Sequence, residues 1–525
     1  MSTTRAIWIF IFILTAIRLS LLGTTDLSGD EAYYWMWSQH LAPGYFSKGP
    51  GVAFAIRAGT AIFGATEFGV RFWSPILGAG TSLILYYFAR RLFSEAVAFW
   101  TVIALNLTPI FNVGSFVMTI DPLSVFFWSA AMFSFWFALE RSPNFSWHWT
   151  VTGLLIGVGF LCKYTNALEI ISVVLVLALV PRLRGEFKRA GFYSMLGVFV
   201  LCTIPPIIWN AQRAWITFVH LRSRGGLDES TGFQPTALPL FLAQHFVTYS
   251  PLLFLGLAWA TIASWRSALR NFKLLYLFWF GLPVFALYFL LSIKRAGAPN
   301  WDCLAFLSLG PLAAFYWHER SQTVTGLQRW AAGALALGLL MSVIALDTDS
   351  LRSFGLHFPR RDPANRLRGW KSATGALEKL RADFETKSGE KFFLIADTRD
   401  RAAEISFYLG DKRIEAVDHP PVYIVESQDL QNQFSFWPRY DEFVEQPSRA
   451  APSPNEVYTE ESGINPFVNR SALYVQEGNK EHVPHNIRAG FQSSERVATI
   501  EVRRFGELVR TWQVFLCRNY RTLPL

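Results

Sequence analysis

Two acidic residues in tandem, Asp30 and Glu31, follow the first apolar run of the chain, and a third acid, Asp121, opens a later run. A carboxylate at a lipid boundary is costly unless it serves a purpose, so these acids are the first candidates for function. A partly desolvated carboxylate could remove a proton from an acceptor hydroxyl, which is general base chemistry. The alternatives are a solvated loop pair for Asp30 and Glu31, and for the third acid a helix cap formed by Thr119 or Asp121 ahead of Pro122.

Basic residues also lie at the ends of apolar runs, where a phosphate or another anion is a reasonable partner. A cation at this position could offset the charge of a phosphate leaving group. The alternative is snorkelling of the side chain to lipid headgroups. The candidates are Lys48, Lys163, Lys294 and Arg295.

The composition is typical of a multi-span membrane protein. Of 525 residues, 52% are hydrophobic and only 17% are charged, with a mean hydropathy of +0.26, a profile poorly suited to a soluble enzyme. The formal charge of +9 does not indicate nucleic-acid binding, because many basic residues lie in short loops between apolar runs. Four cysteines are too few for a disulfide framework.

Apolar runs of spanning length, about 20 residues each, predict about eleven transmembrane helices. They cover 6–23, 68–89, 95–113, 122–139, 148–162, 166–181, 192–209, 238–263, 273–291, 303–317 and 328–346. The first run lacks a small-x-small cleavage site and is interpreted as a retained signal anchor. The stretch 51–63 is too short to span and predicts a helix in the membrane interface.

Arginine and lysine residues in alternate loops predict the orientation. When these loops are placed in the cytoplasm, the N-terminus is cytoplasmic and the C-terminus is external. This assignment puts a set of ionisable residues on the outer face, where a hydrated pocket could bring Asp30 and Asp121 together. The set comprises Asp30, Glu31, Lys48, Asp121, Lys163, Lys294 and Arg295.

The chain is predicted to form two domains. Residues 1–346 form the membrane domain with a first outer loop at 24–67, and residues 347–525 form a polar domain outside the membrane. Strands over 391–396, 421–425, 496–502 and 510–516 and a helix over 401–409 indicate a small α/β fold, with a loop over 446–463.

The acidic pair after the first span, the stretch Tyr45-Phe46-x-Lys48 and Asp121-Pro122 together resemble the GT-C glycosyltransferases. The bacterial branch with the lipid A aminoarabinose transferases and the protein O-mannosyltransferase-like (PMT) proteins is the most similar. Lys163-Tyr164-Thr165 and Pro299-Asn300-Trp301 also resemble segments of that branch. The resemblance implies a polytopic α-helical GT-C membrane protein of the bacterial inner membrane with a periplasmic C-terminal α/β domain.

The resemblance also implies a function, namely inverting transfer of a sugar from an undecaprenyl-phosphate donor to a lipid, glycan or protein acceptor. Asp30 matches the essential loop acid and Asp121 the second acid, whereas Tyr34, Tyr45 and Lys48 match residues around the donor phosphate. A divalent metal, if present, would be held by Asp30 and Asp121. Two departures from the aminoarabinose pattern put the metal and the sugar in doubt. Ser47 stands where that branch has a glutamate, and Tyr33 stands where it has an arginine.

Two alternatives to transfer follow from the same residues. A transporter or lipid flippase would need ionisable residues deep within the spans or broken helices in matched halves. A non-catalytic scaffold would tolerate neutralisation of both Asp30 and Asp121. Because the charges lie mainly at one edge of the apolar runs, the sequence favours chemistry at the membrane surface.

Overall fold

The computed structural model describes residues 3–227, 234–355, 362–415, 418–425, 427, 429–441 and 465–521. The predicted loop over 446–463 lies outside these ranges. The chain divides into two compact units. The first unit comprises Met1–Leu22 and Leu41–Leu351, and the second comprises Gly23–His40 and Arg352–Leu525.

The described residues form twenty α-helices, five β-strands and five short 3₁₀ helices. The helices are α1 Thr3–Leu21, α2 Gly29–Gln39, α3 Gly51–Phe63, α4 Glu67–Arg71, α5 Trp73–Leu92, α6 Glu95–Leu107, α7 Pro109–Gly114, α8 Ile120–Glu140, α9 His148–Cys162, α10 Leu168–Leu179, α11 Ala190–Ala211, α12 Ile216–Arg224, α13 Ala237–Tyr249, α14 Pro251–Ala268, α15 Phe272–Leu291, α16 Ala305–Ser321, α17 Leu327–Leu346, α18 Trp370–Ser388, α19 Arg399–Tyr408 and α20 His485–Gly490. The strands are β1 Phe393–Ala396, β2 Tyr423–Ile424, β3 Ala472–Glu477, β4 Phe491–Arg504 and β5 Glu507–Tyr520. The 3₁₀ helices are Tyr164–Ala167, Pro181–Lys188, Thr348–Phe354, Pro363–Leu367 and Gln433–Phe436.

Helices of the first unit occupy each of the predicted apolar runs. Within the described residues, five helices (α1, α8, α11, α15 and α17) are long and apolar enough to cross a membrane, and six spans result if the bent pair α13–α14 counts as one. Helices α3, α6, α9 and the segment Tyr164–Leu179 are shorter and apolar. The first unit is therefore a polytopic helical membrane protein.

The predicted run over 238–263 is occupied by two helices, α13 and α14. Helices α13 and α14 meet at an angle of 113°. Ser250 between them has a φ of +66°, which ends the first helix because a side chain at positive φ is strained. Pro251 then begins the second helix, where its missing N–H costs no hydrogen bond.

Close helix packing in the first unit depends on small residues. Gly153 and Gly157, four positions apart on α9, lie against α11. A Cβ at Gly153 would lie 2.2 Å from the carbonyl oxygen of Met195, and one at Gly157 would lie 2.6 Å from the Cβ of Cys202. This spacing is the small-xxx-small pattern that lets two membrane helices approach closely.

A buried cation in α1 shows how the apolar unit accommodates charge. Arg18 is only 3% exposed. Its guanidinium donates hydrogen bonds of 2.9 and 3.3 Å to the side-chain oxygen of Asn112 and one of 3.2 Å to that of Asn106. Buried charge is tolerated here because amide oxygens replace the lost water.

The second unit contains a five-stranded sheet in the order β2-β1-β3-β5-β4. Strands β1, β2 and β3 run parallel, whereas β5 pairs antiparallel with both β3 and β4. The hairpin between β4 and β5 turns through Phe505 and Gly506, both at positive φ, as a two-residue turn matched to strand twist requires. Strand β3 was not among the predicted strands, whereas the predicted helix over 401–409 is present as α19.

Helix α2 belongs to the second unit, although composition alone groups all of 24–67 with the membrane part. The residues from Glu31 to Ser38 are all buried. Trp35 packs edge-on against Phe407 of α19 at 5.0 Å, and Tyr33 stacks on Phe434 at 6.1 Å. These aromatic partners lie more than 360 positions away in the sequence, which local composition does not reveal.

The close contact of Gly153 with α11 predicts that a larger residue at this position lowers the stability of the protein. Gly153→Ala should lower the free energy of unfolding by about 1–3 kcal/mol, because the added methyl group must push two backbones apart. Thermal unfolding in detergent, followed by labelling of the buried thiols, measures this change. Gly197→Ala on α11 is the matched control, since the added Cβ would meet no atom within 4 Å apart from its chain neighbours and its own helix backbone. Equal melting temperatures for the two variants would contradict the close packing.

Candidate functional site

The tandem acids at the start of α2 have different surroundings. Ser28 caps the helix, and Glu31 completes a capping box by accepting hydrogen bonds from the backbone N–H and the hydroxyl of Ser28 at 2.9 and 3.1 Å. Glu31 is fully buried, whereas the side chain of Asp30 is 55% exposed. A capping box satisfies helix N–H groups that would otherwise lack partners, so Glu31 has a structural task and Asp30 is the acid that faces solvent.

Asp30 lies beside a cation from the C-terminal part of the second unit. The guanidinium of Arg399 is 3.4 Å from Oδ1 of Asp30 and 3.1 Å from Oδ1 of Asp400. It also lies over the ring of Tyr33 at 4.6 Å from the centroid. The hydroxyl of Tyr33 accepts a 2.6 Å hydrogen bond from the backbone N–H of Gln433. Asp30 is thus held in a local cluster of two acids, one arginine and one aromatic ring.

The pKa values of three side chains in this cluster differ from those of isolated side chains. Burial raises the pKa of Asp400, and the nearby Asp30 carboxylate raises it further, while Arg399 lowers it. Burial works against the charge of Arg399, but the pKa of its guanidinium is nevertheless raised by Tyr33, Asp400 and Asp30. Burial raises the pKa of Tyr33 to about 12. Arg399 therefore remains the cation that joins two anionic side chains.

Asp121 lies in the first unit, in the first turn of α8. Thr119 caps this helix and accepts a hydrogen bond from the backbone N–H of Asp121 at 3.2 Å. Oδ1 of Asp121 accepts a 2.9 Å hydrogen bond from Nζ of Lys163, and Oδ2 accepts a 2.6 Å hydrogen bond from the amide of Asn300. Lys163 also donates to the carbonyl oxygen of Asn300 at 3.1 Å. The acid, the lysine and the amide form one closed network.

The network is largely shielded from solvent. The side chains of Lys163 and Asp121 are 8% and 15% exposed. Lys163 lies at the C-terminal end of α9, whereas Asn300 belongs to the connection between α15 and α16. Three distant segments of the chain therefore meet at Asp121. The sequence suggested anion binding or snorkelling for Lys163, and neither interpretation included the ion pair with Asp121.

Sequence analysis missed a second buried pair close to Asn300. Nε2 of His245 lies 2.9 Å from a carboxylate oxygen of Asp302, and both residues are fully buried. Nδ1 of His245 faces the carbonyl oxygen of Phe241 at 2.7 Å. Because the carbonyl and a carboxylate both accept, Nδ1–H donates to Phe241, and a hydrogen bond to Asp302 requires a proton on Nε2 or on the carboxyl group. A histidine and an aspartate 57 positions apart give no spacing signal that could have revealed the pair.

The other predicted site residues lie as follows. Tyr34 is buried in the second unit and packs edge-on against Trp37 at 4.9 Å. Tyr45 is buried in the first unit, and its hydroxyl accepts a 3.1 Å hydrogen bond from the N–H of Ala42. In the same unit, Lys48 is half-buried, and Lys294 and Arg295 are exposed.

The predicted convergence of Asp30 and Asp121 stays a prediction, because the two acids belong to different compact units. Asp30, Glu31 and Tyr34 lie in the second unit. The first unit holds Tyr45, Lys48, Asp121, Lys163, Lys294 and Arg295.

The residues predicted to bind a metal do not fit one. Both oxygens of Asp121 are engaged by Lys163 and Asn300, and Arg399 lies against Asp30. Within the described ranges, no group of three or more His, Cys, Asp or Glu side chains could hold a metal ion. Lys163 and Arg399 therefore already offset the charge that these two acids would offer to a divalent ion.

Comparisons with known proteins find similar sugar transferases. A family model described as dolichyl-phosphate-mannose-protein mannosyltransferase matches residues 47–209, a range that includes Lys48, Asp121 and Lys163. The lipid A galacturonosyltransferase RgtD of Rhizobium johnstonii is 24% identical over 423 residues, which are 79% of this chain and 85% of that protein. The chain resembles the GT-C membrane glycosyltransferases, and it is itself a glycosyltransferase.

Further relatives of this glycosyltransferase are consistent with that assignment. The undecaprenyl phosphate-alpha-4-amino-4-deoxy-L-arabinose arabinosyl transferase of Edwardsiella ictaluri is 26% identical over 343 residues, which are 61% of this chain but only 58% of that protein. The crystal structure of ArnT from Cupriavidus metallidurans bound to undecaprenyl phosphate has a TM-score of 0.64 at 17% identity, over 98% of each chain. This likeness shows that the GT-C fold is shared.

The predicted enzyme class and the polytopic GT-C fold are therefore confirmed. The relatives are sugar transferases, which favours transfer over the alternative of a transporter or flippase. The roles assigned to single residues stay predictions.

The buried pair of Lys163 and Asp121 in the glycosyltransferase predicts that removing the lysine alone lowers stability. Neutralising both residues should restore most of the stability. Lys163→Met should lower the free energy of unfolding by about 3 kcal/mol, because it leaves Asp121 buried without a cation. Adding Asp121→Asn should restore most of the loss, since the neutral amide can still accept from Asn300. Thermal unfolding in detergent measures both changes. Lys188→Met, at an exposed lysine, is the control, and a loss there of equal size would count against the pair.

Proposed function

We propose that the protein transfers a sugar from an undecaprenyl-phosphate donor to a hydroxyl or phosphate of a lipid, glycan or protein acceptor. The observation that carries the proposal is the alignment over 423 residues with a lipid A galacturonosyltransferase. Lipid A is therefore the first acceptor to test, and galacturonic acid and aminoarabinose are the first sugars. The printed names of the relatives supply both candidates.

The proposed reaction assigns a role to each candidate side chain. The acceptor oxygen attacks the anomeric carbon of the sugar, its proton passes to Asp30, and the bond from that carbon to the lipid phosphate breaks with inversion. Asp30 is suited to this task because it is the exposed acid of the tandem pair, whereas Glu31 caps the helix. Asp121 assists by orienting polar groups through Lys163 and Asn300.

The departing lipid phosphate needs compensation of its negative charge. Lys48, Lys294 and Arg295 are solvent-accessible cations of the first unit, and Lys163 is the cation already bound to Asp121. Tyr34 and Tyr45 are the aromatic groups assigned to the donor. Preorganised cations aimed at developing charge typically contribute a large part of catalysis.

The proposal includes a location and a topology. Eleven transmembrane helices would place the N-terminus in the cytoplasm and the α/β unit in the periplasm of a bacterium, with the reaction at the outer face of the inner membrane. Support comes from the arginine-rich loops, which the positive-inside rule places in the cytoplasm. Membrane lipids are then both the surroundings and the source of the donor.

Neutralising Asp30 tests the catalytic assignment. Asp30→Asn should abolish transfer, because the amide cannot accept the acceptor proton, and it should leave the melting temperature nearly unchanged since Asp30 is exposed. The measurement is release of undecaprenyl phosphate from a panel of polyprenyl-linked sugars by purified protein in vesicles. Asp411→Asn, at an exposed acid of the same unit, is the control. Full turnover by Asp30→Asn would remove this residue from the mechanism.

Reporter fusions test the topology. Alkaline phosphatase needs an oxidising compartment to form its disulfides, so a fusion at the C-terminus should be active. A fusion truncated after Arg91, in a predicted cytoplasmic loop, should be inactive at equal expression. Activity is measured in intact cells. The reverse pattern would invert the proposed orientation and put the α/β unit in the cytoplasm.

A further inference from the structure

The C-terminal part of the second unit encloses the helix that carries Asp30. The hydroxyl of Tyr408 accepts a 2.8 Å hydrogen bond from the N–H of Leu27, just before α2. The carboxylate of Asp26 accepts a 2.8 Å hydrogen bond from the N–H of Trp370, the first residue of α18. Residues 23–40 therefore both donate hydrogen bonds to and accept them from residues beyond 352. Helix α2 has the surroundings of a core element and not of a free loop.

The N-terminal ends of α2 and α19 lie side by side. A Cβ added at Gly29 would lie 2.8 Å from the Cβ of Asp400, so the two backbones approach as closely as a glycine permits. Thr398 caps α19 by accepting from the N–H of Arg401. Each helix thus presents an acid in its first turn, Asp30 on one and Asp400 on the other. Acids are stabilised at helix N-termini, but two of them side by side repel each other.

Arg399 resolves this repulsion. Its guanidinium reaches Asp30 with one terminal nitrogen and Asp400 with Nε. The ring of Tyr33 supports its face, and the backbone of Gln433 holds the ring in place through the tyrosine hydroxyl. A planar guanidinium can serve two carboxylates and one ring at once, which the single ammonium of lysine cannot do.

We propose that Arg399 is a positioning residue for Asp30, so that the C-terminal part of the chain takes part in sugar transfer by orienting the proton acceptor. This inference rests on the proposed function, because it assigns Asp30 the role of base. Arg399 acts through Asp30 and is not assigned a contact with substrate. The geometry thereby gives the C-terminal region a part in positioning a catalytic group.

Graded substitution at Arg399 tests the inference. Arg399→Met should lower kcat about 100-fold, the cost typical of a misplaced catalytic group, and Arg399→Lys should lower it about 10-fold, since it keeps the charge but not the fork. The KM for the polyprenyl-phosphate sugar should stay at the wild-type value, and kcat is measured per folded molecule because loss of the two ion pairs also lowers the melting temperature. A merely structural role would lower the melting temperature and the fraction of active protein but leave kcat per folded molecule unchanged.

Two further variants complete the design. Arg413→Gln removes another half-buried arginine of the same unit, which pairs with Glu385 and Glu415, and should reduce stability without changing kcat. Any residual transfer by Asp30→Asn should not fall further in the double variant Asp30→Asn with Arg399→Met, because a positioning residue has nothing left to position.

The outcomes separate this inference from the proposed function. Wild-type kcat in both Arg399 variants, together with an inactive Asp30→Asn, overturns the positioning role alone. An active Asp30→Asn overturns the catalytic assignment itself. Should Arg399→Met fail to fold, Arg399→Lys decides, because an unchanged kcat in that folded variant contradicts the proposal and a lowered kcat per folded molecule supports it.

Discussion

The structure depends on one constraint, namely that a charge removed from water must meet a partner of opposite charge or several hydrogen bonds. Arg18 meets two asparagine side chains inside the apolar unit, and Asp121 meets Lys163 and the amide of Asn300. Each partner comes from a different helix or connection. The charged residues therefore fix which segments of the membrane unit lie together, in addition to any part they take in chemistry.

The sequence was a good guide wherever the signal was local. Apolar runs located the helices of the first unit, and a buried run of strand formers located β1 at Phe393–Ala396. The interfacial prediction for 51–63 has the same bounds as α3. Bends between consecutive helices were harder to predict, because the bend at Ser250 depends on a single backbone angle within a continuous apolar stretch. The candidate acids were identified from their placement alone, since charge at a lipid boundary is costly at any point in a fold.

Contacts between residues far apart in the chain could not be predicted from the sequence. Nothing near Asp30 in the sequence indicates that Arg399 lies beside it, and nothing near Asp121 indicates Asn300. The pair of His245 and Asp302 was missed for the same reason. The family resemblance identified the candidate acids but did not predict the partner of Tyr33. This tyrosine stands where the aminoarabinose pattern has an arginine, and its ring contacts the guanidinium of Arg399.

The enclosure of α2 has a consequence for biosynthesis. Residues 23–40 leave the ribosome early, whereas their aromatic partners at Phe407 and Phe434 follow only after every membrane helix has been made. Until then the tryptophan and tyrosine side chains of α2 lack their native cover and are open to wrong association. A premature stop codon ahead of Phe407 would leave them uncovered permanently, so cells should degrade such truncated products rather than accumulate an inert membrane fragment.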